Sequence, residues 1–463
     1  MRTFPTPELW GLCGDADGKL CLGSVRLTAL AKEYGTPLHV VNEMRLEQTA
    51  QSFIKKITDL YPGASSVHYA FKCNSVPGVV QMIHKAGLKA EVMSMYELQL
   101  ASLLGYTGEK IIVNGPCKST DFLRSCIEHR VRFIVIDSIA ELLSLGHLSD
   151  EYDREISVLL RVNPDIIPKG MNSGSATGSR KGSPFGLDVK GGEVIRALEL
   201  ISGMQRIRFC GYHFHIGTGI RNPADYSRTL YSLKPLFEKT GKLGFSIDVI
   251  DAGGGFASPT TRELTSTELL LYQSFNRFPK TLGRTMKYGI GAFIKEITGA
   301  LIRLFPEGKL PELILEPGRC IVSPNQLLLL TVHRIKERPG VGTWLITDGG
   351  LGTVTMPTYY EYHEVFLCND INRQQTKLVT ISGPGCFAAD IVYKNKKMPE
   401  VRTGERLAVM DSGAYFTALE SSFGYPLPAV VSVTADEHHR CLRRRETFHD
   451  MVKRDRIIEE CTH

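Results

Sequence analysis

The chain has 463 residues, enough to bury a large core and to divide into two or three domains. Its 43% hydrophobic and 22% charged residues are ordinary for a globular protein, and a net charge of +6 suits anionic ligands without implying nucleic acid. The 11 cysteines are scattered and never spaced Cys-x-x-Cys, which excludes a disulfide framework and a zinc knuckle and fits a reducing cytosol.

The start of the sequence carries no basic segment followed by an apolar run, so no signal peptide is expected. Leu327 to Leu330 sit in an apolar run far too short to cross a bilayer. A cytoplasmic protein without membrane or nucleic-acid partners is expected. Arg443-Arg444-Arg445, followed at once by Glu446, reads as a solvated or ion-paired face.

In chain order, residues 1–36 are loop-rich and are expected to join a β-domain at the other end of the chain. Eight short apolar or β-branched runs follow: Val67 to Phe71, Ala90 to Ser94, Lys110 to Asn114, Arg132 to Asp137, Ile156 to Val162, Cys210 to Ile216, Ile247 to Asp251 and Glu312 to Glu316. Helical spacing between them (Val79 to Ala86, Met95 to Leu104, Thr120 to His129, Glu193 to Leu200) predicts alternating strands and helices, hence a parallel sheet. Eight such repeats in about 250 residues predict a closed (β/α)8 TIM barrel over residues 37–320. Gly170 to Gly182, rich in glycine and serine, reads as a flexible barrel loop. Beyond Cys320 the runs Gln326 to His333, Thr343 to Thr347, Lys377 to Ile381, Arg406 to Met410 and Ala429 to Val433 are separated by Gly, Pro, Asn and Asp. They predict an antiparallel β-domain over residues 321–463.

The chemistry-bearing residues fall at the predicted C-terminal ends of barrel strands, the catalytic face of such a fold. Lys72, at the end of the first run, is costly to order there unless its amine has chemical work. With a pKa lowered by partial burial, that amine can form a Schiff base with a carbonyl. His213 and His215 share one strand face, where two histidines can ligate a metal. No third ligand is evident nearby, and His215 packed on a cofactor ring, with Thr218 bonding its phosphate, is preferred. Gly253-Gly254-Gly255 after strand seven let backbone N–H groups approach a phosphate. Glu316-Pro317-Gly318-Arg319 after strand eight offers an arginine for phosphate and a carboxylate that keeps a pyridine nitrogen protonated. Together these specify a pyridoxal phosphate site. In the β-domain, Cys386 follows a glycine–proline turn as an accessible proton donor, and Asp411-Ser412-Gly413-Ala414-Tyr415 forms a second polar turn.

These segments resemble the fold-type III pyridoxal phosphate-dependent decarboxylases, of the diaminopimelate and ornithine decarboxylase kind. The resemblance runs from Tyr34-Gly35-Thr36-Pro37-Leu38 to Arg443-Arg444-Arg445-Glu446-Thr447-Phe448. It is closer to the diaminopimelate branch, through Arg444-Arg445-Glu446-Thr447 and Asn114-Gly115-Pro116-Cys117-Lys118. Alanine racemases share the barrel, but Tyr69-Ala70-Phe71-Lys72-Cys73-Asn74 and the Cys386 segment resemble the decarboxylases. The resemblance implies that Lys72 carries the coenzyme, that Glu316 binds the pyridine nitrogen and that His215 stacks on the ring. Thr218, Gly253, Gly254, Gly255, Gly318, Arg319 and Tyr415 would surround the phosphate. Cys386 would come from the partner in a homodimer and protonate the substrate carbon after carbon dioxide leaves.

Two departures bear on the substrate. Phe387 stands directly after the cysteine, where these decarboxylases usually carry an acidic residue. Met356 stands where the diaminopimelate enzymes usually carry arginine, in a segment one residue short in which Tyr359, Tyr360 or Glu361 faces substrate. Losing partners for a charged group changes discrimination by roughly 10⁴ or more. The reading is therefore a decarboxylase with a modified distal pocket, for a larger or carrier-linked amino acid. Diaminopimelate or another diamino acid (ornithine or lysine) is the alternative, ahead of a non-catalytic regulatory relative or an amino-acid racemase.

Overall fold

The computed structural model describes residues 5–169, 171, 176–264, 266–275, 288–306, 308–354 and 361–456. The chain divides into two compact units. One comprises Leu46–Thr261 and Arg284–Val322; the other comprises Met1–Arg45, Arg262–Gly283 and Ser323–His463.

The first unit is the (β/α)8 barrel. Its strands, in order, are Ser65–Ala70, Lys89–Val92, Ile111–Val113, Phe133–Ile136, Ile156–Asn163, Ile207–His213, Val249–Asp251 and Glu312–Leu315. Each pairs in parallel with its neighbours, and the eighth pairs with the first through Leu313–Ser65 to Leu315–Val67, which closes the ring. All eight expected runs are strands, within a few residues of their expected limits. Ile112, Phe133, Val135, Leu159, Cys210, Val249 and Ile314 form one buried cluster; burying each large apolar side chain is worth about 1.5–3 kcal/mol. Serines end three of the loops that leave strands. Ser94, Ser119 and Ser138 accept from the N–H groups of Glu97, Phe122 and Glu141, capping the next helices. Gly211 (φ 155°) sits at a register shift in strand six, where a Cβ would run into Val249 O. Of the Gly170 to Gly182 loop, residues 170 and 172–175 lie outside the described residues.

The second unit is a strand-rich body. Its long strand Gln326–Arg338 pairs antiparallel with Leu38–Asn42, Gly342–Thr347 and Arg406–Val409. Two parallel pairs also occur, Leu38–Asn42 with Ala429–Val433 and Gly342–Thr347 with Gln375–Ser382, so the sheet is mixed rather than purely antiparallel. A small sheet of Leu12–Gly14, Leu20–Leu22 and Val25–Arg26 belongs to the same unit. Leu38–Asn42 lies inside the stretch expected to begin the barrel, but it is a strand of this sheet. Its backbone groups find partners on both sides, Gln326 to Leu329 and Ala429 to Val433. Among the described residues, no helix is long and apolar enough to cross a membrane.

Candidate active site

The first barrel strand stops at Ala70, and Phe71–Cys73 turn as a short 3-10 helix. Tyr69 Oη donates to Asn74 O at 3.0 Å and Val76 N–H to Asn74 Oδ1 at 3.2 Å, which fixes the turn. Lys72 thus stands just past the strand, with its side chain 32% exposed and its Nζ 2.5 Å from Glu91 Oε2 at the end of strand two. Burial alone would lower the amine's pKa. Glu91 and then Glu316 outweigh burial, and the pKa lies above the ordinary lysine value. The expectation of a pKa lowered by burial is overturned, because buried carboxylates favour the ammonium form.

Glu316 follows strand eight and is buried. It accepts from Asn114 Nδ2 at 2.6 Å, and His213 Nε2 lies 3.3 Å from its other oxygen. Burial pushes its pKa up, but His213 and Lys72 reverse this and hold it below the usual carboxylate range. Asp251, at the end of strand seven, is pushed well up by burial and by the charge of Glu316. Of this pair, the negative charge therefore falls on Glu316. The oxygens of Asp251 and Glu316 and a nitrogen of His213 lie within 4.8 Å of one another. The third ligand not evident from sequence is thus an acid, and it meets His213 rather than a histidine pair. Asn114 and the Lys72 ammonium already serve Glu316, and that ammonium disfavours a second cation.

His215 lies two residues past strand six, where its Nδ1 accepts from Gly254 N–H at 3.3 Å. Burial, reinforced by Arg161 and Lys72, lowers its pKa to about 3, so its ring is neutral. Arg319 is buried and its Nη2 donates to Thr218 Oγ1 at 3.4 Å. Gly253 (φ 65°) and Gly255 (φ 90°) take up left-handed backbone, and their missing side chains let two loops interlock. A Cβ on Gly253 would lie 2.6 Å from Phe214 O, and one on Gly255 would run into Gly217 O. A Cβ on Gly254 would run into Glu316 O, and one on Gly318 into Cys73 Sγ.

Lys72, Glu91, Asn114, Arg161, His215 and Glu316 line one cavity of about 160 Å³. Glu91 and Arg161 were missed by sequence reasoning, and Asn114 and Asp251 were read only as parts of motifs. The available signal was a charged residue inside an apolar strand: Glu91 between Ala90 and Val92, Arg161 between Leu160 and Val162. The other expected residues lie in the second unit. Cys386 is exposed on a turn, and Phe387, 49% exposed, meets Phe423 edge-on. Tyr415 is half-buried at φ 65°, and Glu361 is buried with Oε2 3.1 Å from His363 Nε2. Met356, Tyr359 and Tyr360 lie outside the described residues.

The pyridoxal binding domain of the pyridoxal-dependent decarboxylases matches residues 46–323, nearly all of the barrel unit. The chain belongs to the pyridoxal-dependent decarboxylases. It is 31% identical to the diaminopimelate decarboxylase of Bacillus subtilis and 28% identical to that of Methanocaldococcus jannaschii, in each case over 95% of both chains. The solved M. jannaschii diaminopimelate decarboxylase superposes with a TM-score of 0.84 at 26% identity, covering 96% of this chain and 98% of that one. The same enzyme in co-complex with L-lysine gives 0.85. The decarboxylase is thus a carboxy-lyase that uses pyridoxal phosphate. Its barrel fits that coenzyme. Glu91 Oε1, Asn114 Oδ1, His213 Nδ1 and Asp251 Oδ2 are buried in or beside the Lys72 cavity with no hydrogen-bond partner, as expected where a polar ligand completes the set. The relatives favour diaminopimelate, the alternative reading of the sequence, over a carrier-linked amino acid.

Proposed function

We propose that this decarboxylase removes one α-carboxylate of diaminopimelate and leaves lysine. The observation that carries the proposal is the near-full-length similarity, 28–31% identical, to bacterial and archaeal enzymes of that name. When bound, pyridoxal phosphate supplies an electron sink for the pair left behind as carbon dioxide departs. Lys72 would hold the coenzyme, and Glu91 holds the Lys72 ammonium when the amine is not bound to it. Glu316, kept ionised by His213 and Lys72, holds the proton of the ring nitrogen. The neutral ring of His215 packs on the coenzyme without a competing charge. Thr218, Gly253, Gly254, Gly255, Gly318 and Arg319 would enclose the phosphate.

Cys386, supplied by a second copy of the chain in a homodimer, donates the proton that replaces the lost carboxylate. Of the residues assigned to the distal end of the substrate, Phe387 and Glu361 are among those described. Because Phe387 and Met356 carry no charge, a different amino acid is the second reading. Carbon dioxide release from diaminopimelate, ornithine and lysine, offered separately, tests both. Diaminopimelate should turn over faster than the others, as expected from the near-full-length similarity to enzymes of that name. Equal or faster release from another diamino acid rejects the substrate assignment.

A further inference from the structure

Gly383-Pro384-Gly385-Cys386-Phe387-Ala388-Ala389-Asp390 reads from sequence as a glycine–proline turn. In the structure it is built around one buried carboxylate. Asp390 Oδ2 accepts from Gly385 N–H at 2.6 Å, and Asp390 Oδ1 accepts from Leu351 N–H, also at 2.6 Å, in a different loop. The backbone closes the same ring: Gly383 N–H donates to Asp390 O at 3.0 Å and Asp390 N–H to Phe387 O at 2.9 Å. The glycines exist to admit this carboxylate. A Cβ on Gly385 would lie 2.7 Å from Asp390 Oδ2, and one on Gly350 or Gly383 would run straight into the carboxylate. Outside the ring, Tyr425 Oη donates to Pro384 O at 2.9 Å, and the Phe387 ring meets Phe423 at 6.2 Å. Every neighbour of Cys386 is therefore tied down, while Cys386 itself is exposed.

We infer that Asp390 is a positioning residue for the Cys386 thiol, binding the cysteine turn to the Gly349–Gly352 loop so that the S–H is presented in one direction. The inference rests on the proton-donor reading of Cys386. In that step the S–H bond breaks as a C–H bond forms at the carbon that lost its carboxylate, and solvent returns a proton to the thiolate. A carboxylate is needed because both oxygens must accept. The amide of Asp390→Asn has one accepting oxygen and turns an N–H toward the other backbone donor.

The test uses the coenzyme-loaded full chain as wild type, Asp390→Asn, Gly385→Ala and Cys386→Ala. Gly385→Ala presses on the same clamp from the other side, so the result does not depend on Asp390→Asn folding. Decarboxylation in deuterium oxide, with the configuration of the new C–D bond read by NMR, should give one configuration for wild type. It should give a mixture for both clamp variants, with kcat lowered about tenfold and KM within about twofold. In the absence of substrate, mass-spectrometric mapping of iodoacetamide alkylation should show the Cys386 rate shifted at least about threefold in the clamp variants, while exposed Cys13 and Cys441 keep theirs. A single configuration and an unchanged Cys386 rate in both clamp variants overturn the role of Asp390. A single configuration in Cys386→Ala overturns instead the proton-donor reading on which it rests, and the alkylation result then stands alone.

Discussion

Acids bracket two of the barrel strands, Asp248 and Asp251 on the seventh, Glu312 and Glu316 on the eighth, yet the two ends treat them oppositely. At the N-terminal end, Glu312 accepts two bonds from Arg132, at 2.9 and 2.5 Å, and one from Ser66 Oγ at 3.0 Å. Its pKa falls because Arg132 outweighs burial. Asp248 is 40% exposed and meets Arg208 at 3.8 Å. These two acids each have a counter-charge. At the C-terminal end Glu91, Asp251 and Glu316 are buried around Lys72, and one oxygen each of Glu91 and Asp251 is left over. The larger cavity, about 640 Å³, is at the saturated end, whereas about 160 Å³ surrounds Lys72. Volume does not mark the reactive end of this barrel. Buried charge without its full set of partners does.

Breaking the C-terminal arrangement should cost far more activity than breaking the other. Lys72→Ala should abolish the visible absorbance of lysine-linked coenzyme and lower kcat by about 10³-fold or more, because among the described residues lining that cavity Lys72 is the one lysine. A retained absorbance band would reject Lys72 as the attachment point. Glu316→Gln and Glu312→Gln apply one chemical change at opposite ends of one strand. Glu316→Gln should lower kcat by about 10²-fold with the chain still folded, since a neutral amide cannot hold a pyridinium proton. Glu312→Gln should cost about 2–3 kcal/mol in urea unfolding, because Arg132 loses a half-buried partner, with kcat per folded molecule unchanged. If both variants lose only stability, the contrast between the ends fails.

This contrast was partly legible in the sequence. Lys72, His215, Glu316 and Arg319 could be read because each breaks an apolar run near a strand end, and strand ends set the chemistry of a barrel. Glu91 and Arg161 break their runs too, but a lone charge in a strand says nothing about which strand end it will face. Their value lies in Lys72, Asp137 and Phe185, which are distant in sequence. Leu38–Asn42 was misassigned for a related reason. A β-branched run announces a strand but not its partners, and here they lie about 290 and 390 residues further on. The glycines at 253–255, 383 and 385 could be located but only partly explained, and Gly350 was missed. Those at 253–255 admit neighbouring backbone, and those at 350, 383 and 385 admit Asp390.

Acid acts on both units through buried histidines, a smaller effect than the losses at Lys72. Burial holds His39 in the sheet unit and His68 and His215 in the barrel neutral, each with its pKa lowered to about 3. The unfolded chain takes up these protons near pH 6.5 and the folded chain only near pH 3. Between those values the unfolded state binds more protons, and stability falls as pH falls. Each histidine contributes up to about 1.4 kcal/mol per pH unit across that window. Asp251, Glu97 (raised to about 7), Glu141 and Glu420, all pushed up by burial, hold protons in the folded state and work in the opposite direction. The histidine share is read by comparing the urea midpoints of wild type and His68→Gln from pH 6.5 to 4.5. Equal slopes would mean that the His68 imidazole is not held neutral. His68→Gln should flatten the slope within the barrel without touching Lys72.

The weakest contact at the N-terminal end gives the finest check. Arg208 is 56% exposed and its nitrogen stands 3.8 Å from Asp248, beyond hydrogen-bond range. Such a pair gains little Coulomb energy in water and spends side-chain entropy to stay together, so Arg208→Ala should shift stability by under about 1 kcal/mol. Raising the salt concentration should shrink even that difference, because the pair is open to solvent. The Arg132–Glu312 pair, with side chains 25% and 16% exposed, should lose less of its effect in the same salt. A large, salt-insensitive loss from Arg208→Ala would mean that the wide cavity at this end holds a charge it cannot neutralise by itself. The barrel would then have two unsaturated ends rather than one.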